Sequence, residues 1–135
     1  MTADELARSY IAKAGVRAEM LDFLAQRGAW SDVVQVAQES VELALKAMLR
    51  HVGVDPPKWH DVGSVLLEQS HLFAADVQER LPELARISKR LRKDRELAFY
   101  GDIDFIPTRE YGPPEGRAAM EEARIVLDVA RRVVA

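Results

Sequence analysis

The chain has no cysteine. That excludes a disulfide framework, thiolate zinc sites and thiol catalysis. Histidine is scarce, with three residues in 135, at positions 51, 60 and 71. No two of them share a helix at i, i+4 and no HExxH is present, so no metal site is expected. Glycine-rich phosphate loops are missing, as are GxGxxG and GxSxG. Ser64 and Ser70 have no evident His-Asp context for nucleophilic work. No run approaches the roughly 18–20 apolar residues that span a bilayer. The opening "MTADELARSY" carries acids early and lacks an apolar leader core. A cytoplasmic protein without membrane contact is expected. Strand signals are nearly absent: "DIDFIP" alternates briefly and closes on Pro107.

What is present is apolar residues at helical period. The hydrophobic fraction is 48% and the charged fraction 30%, ordinary for a globular chain. At 135 residues the expectation is one domain, 1–135, with one core. Thr2 and Glu5 have capping-box spacing. Leu6, Tyr10, Ala14, Arg17, Leu21 and Leu24 then recur every three to four residues. This predicts a helix over about 3–27, stopped by Gly28. Ser31 and Asp32 open the next helix, which carries two apolar stripes and ends at Gly53. Val34, Ala37, Val41, Ala44, Met48 and Val52 form one stripe, and Val33, Val36, Leu43 and Ala47 the other. A helix apolar on most sides belongs in the middle of a bundle.

"GVDPPKWHDVG" reads as a loop and "DVGSVLLEQS" as a short helix. Pro82 either sits in the first turn of the next helix or interrupts a longer one beginning near Ala74. Leu84, Ile87, Leu91 and Ala98 mark that helix's inner face, up to Tyr100. Residues 101–114 read as a long ordered loop. A last helix, about 115–134, faces in through Met120, Ala123, Leu127, Ala130 and Val134. The fold class expected is all-α, an up-and-down bundle of about five helices.

Net charge is −3, so the chain as a whole does not attract polyanions. Its charge is clustered, however. Arg86, Lys89, Arg90, Arg92, Lys93 and Arg95 lie within ten residues, with Asp94 as the one acid among them. At helical spacing 86, 89, 90 and 93 share an outward face, while 92 and 95 flank the apolar stripe near Tyr100 and Asp102. The cluster reads either as a phosphate-binding surface or as a solvated helix face. Glu42 and Lys46 stand at i, i+4 on the most apolar helix, so at least one of them should face a partner or cleft. His60 precedes Asp61 where the short third helix should start. It reads as a capping or packing residue, or as a groove residue.

"AQESVELALKAMLRHVGVDPPKWHDVGSVLLEQ" together with "RELAFYGD" resembles the HEPN family of small helical domains. The matching features are Glu42 before "LALKA", Lys46, the Gly53–Pro57 loop, His60 in "HDVG", and Arg95 followed by Tyr100, Gly101 and Asp102. The resemblance implies a five-helix bundle, commonly a homodimer, and in many members a nucleotidyltransferase partner of the MNT type. It also implies a nucleotide or RNA phosphate ligand. The positions carried over are Arg92, Arg95, Tyr100, Asp102, Glu42, Lys46 and His60.

Many members of that family are metal-independent ribonucleases with a His four to six residues after the Arg. Here Tyr100 stands at that place and no His follows His71. A phenol with a pKa near 10 is a poor general base at neutral pH. Three functions follow, in order of expectation. The first is a binding module needing no cofactor. The second is a weak endoribonuclease using Arg95, Tyr100 and Asp102. The third is a non-catalytic helical interaction protein.

Overall fold

The computed structural model describes residues 2–58 and 61–135. Among these the chain is all helical and has no strand. Its elements are α1 (Ala3–Gln26), α2 (Trp30–His51), α3 (Val62–Glu68), a 3-10 turn (Ser70–Leu72), α4 (Ala75–Phe99), α5 (Pro107–Glu110) and α6 (Pro113–Val134). The first helix starts on the capping box read from the sequence. The Glu5 amide donates to Thr2 Oγ1 at 3.1 Å, and the Thr2 amide donates to Glu5 Oε2 at 2.7 Å.

α2 is the central post. Thirteen of its 22 residues are buried, drawn from both apolar stripes. α1, α4 and α6 pack around it. Ser40 on α2 donates to the Ala14 carbonyl at 2.9 Å and Arg17 pairs with Glu39 at 3.3 Å, so α1 and α2 run antiparallel. Gly116 lies against the Trp30 ring near the start of both helices, and Ala47 clusters with Val134 near their ends. α6 is therefore parallel to α2. The C-terminal part of α4 lies beside Val34 and Gln35, so α4 is antiparallel to α2. The result is the up-and-down bundle expected, with α3 as a short lateral helix. Both apolar faces of α2 are covered within the chain, as a helix in the middle of a bundle requires.

Three local expectations need correction. α2 begins at Trp30, not Ser31, and its N-cap Ala29 makes no side-chain bond. Ser31 is buried, and Trp30 is fixed by tertiary contact: a Cβ on Gly116 would fall 2.3 Å from its ring. Residues 101–114 are not simply a loop, because they contain α5 and a two-residue bridge between Asp102 and Phe105. Finally, α6 starts at Pro113, where proline needs no amide partner.

Pro82 lies inside α4, so of the two readings the longer helix describes its extent. The inner residues Leu84, Ile87, Leu91 and Ala98 are all buried as read. In α6, Met120 is only half-buried, whereas Ala123, Leu127, Ala130 and Val134 are buried. The N-cap of α3 is Asp61, whose carboxylate accepts from the Gly63 amide at 3.0 Å. Among the described residues no helix is long and apolar enough to cross a membrane.

Candidate functional site

The last turns of α4 and one residue of α2 enclose a groove of about 450 Å³. That volume lies in the range of small-ligand sites, roughly 300–1,000 Å³. Arg92, Lys93, Arg95, Glu96, Phe99 and Tyr100 line it from α4 and its C-cap, and Gln35 from α2. Three cations thus meet two aromatic rings in one concavity. Phe99 and Tyr100 stand edge to face with centroids 4.5 Å apart, and are 54% and 76% exposed. Rings so exposed contribute little to the core and are available to stack.

The cluster read from the sequence splits along this geometry. Lys93, assigned there to the outward face, joins the groove. Arg95 is exposed rather than set at the interior boundary, and Arg92 is half-buried. Among the described residues no hydrogen bond or ion pair engages the charged ends of Lys93 or Arg95. Arg90, by contrast, is committed to an ion pair with Glu122 of α6. Arg86 and Lys89 lie over a separate groove against α3, beside Asp61 and Leu67.

Tyr100 is held at the end of α4, where its amide donates to the Glu96 carbonyl at 2.9 Å. Gly101 then turns the chain at φ 72°, and an added Cβ would fall 2.4 Å from the Phe105 carbonyl oxygen. Only glycine fits a left-handed turn so crowded. This explains the abrupt Tyr-Gly-Asp stop: it brings the aromatic pair to the helix end and folds the chain back beneath it. Asp102 does not line the groove. It is exposed, and its carboxylate accepts from the Ile103 amide at 2.7 Å while its backbone exchanges bonds with Phe105. Its role is to shape the turn.

Glu42 and Lys46 are half-buried on α2 but lie outside the groove lining, and no ion pair joins them. They continue the half-buried polar line of Gln35 and Glu39 along one face of α2. The expectation for His60 lies outside the described residues. Of the seven site residues read from the sequence, the structure therefore brings Arg92, Arg95 and Tyr100 together and adds Lys93, Phe99, Glu96 and Gln35. Gln35 went unread because it is joined to α4 only through the fold. Its signal was a Gln–Glu pair at i, i+4 on the most apolar helix.

Across α4 lies a second cavity of about 350 Å³, lined in part by Arg90, Asp94, Tyr111 and Glu115. Tyr111 is buried, and its hydroxyl donates to the Asp94 carbonyl at 3.4 Å. Burial first, then the Asp94 and Glu115 carboxylates, push its phenol up to about 12. Glu115 also accepts from the Gly112 amide at 2.7 Å. Among the described residues no group of three His, Asp or Glu side chains is placed to hold a metal ion.

A family model described as HEPN domain matches residues 7–135. Neither a curated protein nor a solved structure gives a match.

Proposed function

The chain belongs to the HEPN domain family, and on that premise we propose that it is a binding module whose α4 groove takes the phosphates of a nucleotide or RNA strand. The observation that carries this reading is the groove itself. Lys93 and Arg95 are exposed and have no internal counter-ion among the described residues, and they stand beside the exposed pair Phe99 and Tyr100. Cations neutralise phosphates, Arg with two parallel bonds. Aromatic faces accept unstacked bases of any sequence. A face that was merely solvated would not need both.

We propose no RNA turnover by the isolated chain. Attack by a 2′-OH needs a base to take its proton and an acid for the leaving oxygen. Imidazole suits both, since it titrates near neutrality. Among the described residues the groove lining contains none, and Asp102 stands outside it. A homodimer is proposed as well, through α1. Val16, Met20 and Phe23 recur on one face of α1 and are 54%, 45% and 59% exposed. Sedimentation of the wild type against Met20→Glu checks this, and a monomeric wild type at tens of micromolar contradicts it. A nucleotidyltransferase of the MNT type is the partner this family membership suggests. Co-purification with such a protein tests it.

The test of the groove is binding of a short single-stranded RNA to Arg95→Ala and to Lys89→Ala. Losing one charge-assisted contact is worth roughly 1.5–3 kcal/mol, about tenfold or more in affinity. Arg95→Ala should show that loss and Lys89→Ala should not. Equal small losses overturn the site.

A further inference from the structure

Among the residues lining the groove, Gln35 alone comes from α2, so it forms the wall opposite the cations and rings of α4. Its amide orientation is fixed by chemistry. Gln35 Nε2 donates to Glu39 Oε2 at 3.0 Å, and Glu39 Oε1 accepts from Arg17 Nε at 3.3 Å. Both Glu39 carboxylate oxygens act as acceptors here. The amide must therefore turn its NH2 group toward Glu39. Its carbonyl oxygen is left as the outer end, and no donor among the described residues reaches it. A phosphate has no use for a fixed acceptor, but a donor on the ligand does. Glu96 also lines the groove but is exposed and belongs to the α4 wall.

We infer that Gln35 is a specificity-determining residue: its oriented carbonyl oxygen accepts a hydrogen bond from the amino group of a nucleobase stacked at Phe99 and Tyr100, so the groove prefers an amino-bearing base to uracil. The inference rests on the phosphate-binding reading of the same groove and adds base selection to it. Cytosine and uracil are the matched pair for the question. They share ring size and stacking, and differ at the position where cytosine carries an amino donor and uracil a carbonyl acceptor. A uracil carbonyl at that place is itself an acceptor and gains no bond from Gln35. The Arg17–Glu39 pair acts through Gln35 and is a positioning device.

Fluorescence anisotropy with labelled single-stranded oligocytidine and oligouridine of equal short length tests this. The wild type should prefer oligocytidine by about three- to tenfold, the range of one net hydrogen bond. Gln35→Met keeps the side-chain length and removes the acceptor. It should weaken oligocytidine to the oligouridine level and leave oligouridine unchanged. Glu39→Gln frees the amide to flip and should give an intermediate preference while leaving the Arg95 dependence intact. Equal affinities in the wild type, or equal weakening of both oligomers by Gln35→Met, overturn the base selection. In that case binding that still depends on Arg95 leaves the phosphate reading standing. Absence of binding to either oligomer overturns both.

Discussion

The two sides of the last turns of α4 use similar residues for opposite ends. On one side Lys93 and Arg95 open onto a groove with two exposed rings. On the other, Arg90 is closed by Glu122, and the Tyr111 hydroxyl rests on the Asp94 carbonyl. Both sides carry cations, acids and aromatics, and both enclose several hundred cubic ångströms. They differ in whether the charge is answered from within the fold. Charge so answered holds α4 against α6 and the return segment, whereas unanswered charge is available to a ligand. A run of basic residues in a sequence is thus not one feature. The helix divides it by phase into structure and site.

The largest effect separating the two sides should be in alkali. Below pH 10 the Tyr111 phenol is protonated whether the chain is folded or not. The unfolded chain releases the proton from pH 10, whereas the folded chain holds it to about pH 12. Stability therefore falls as pH rises through that window, by roughly 2–3 kcal/mol at most for this group. Tyr111→Phe should remove this part of the loss in denaturant titrations across pH 9–12, while Tyr100→Phe on the groove side should not. A wild-type alkaline profile retained in Tyr111→Phe would show that the closed side is not held by this phenol.

Next comes the turn that joins the two sides. Gly101→Ala places a methyl on the Phe105 carbonyl and Pro107 at a φ of 72°. The expected loss is about 1–3 kcal/mol, read by thermal unfolding, together with weakened ligand binding because Tyr100 is displaced. Unchanged stability would mean that the turn is not fixed as described. The smallest effect is at Arg90. Its side chain is half exposed and Glu122 is mostly covered. Arg90→Ala should lower stability by no more than about 1 kcal/mol and leave RNA affinity alone.

The bundle was legible because its signals are local and periodic. The Thr2–Glu5 box, the stop at Gly28 and the double stripe of α2 each follow from neighbours within one or two turns. Where tertiary contact decides, the reading slipped. Trp30 enters α2 because its ring meets Gly116 on another helix. α5 and the Asp102–Phe105 bridge arise within a segment whose prolines and glycines read as loop.

The site was half legible for the same reason. Arg92, Arg95 and Tyr100 share a helix end, so spacing brought them together. Asp102 follows them in sequence, yet Gly101 turns it away. Lys93 was placed by helical phase on the outward face, but the groove is open enough to include it. Gln35 lies about sixty residues earlier and reaches the groove only because α2 and α4 are antiparallel neighbours.

The most direct test of the division of α4 is the salt dependence of binding to single-stranded RNA in the wild type, Arg95→Ala and Arg90→Ala. Each phosphate neutralised adds about 0.7 to the magnitude of the slope of log affinity against log salt. The account predicts a slope about 0.7 shallower for Arg95→Ala, and a wild-type slope for Arg90→Ala even though that variant is the one closer to unfolding. Equal changes of slope in the two variants would contradict it, because the basic run would then act as one undivided surface.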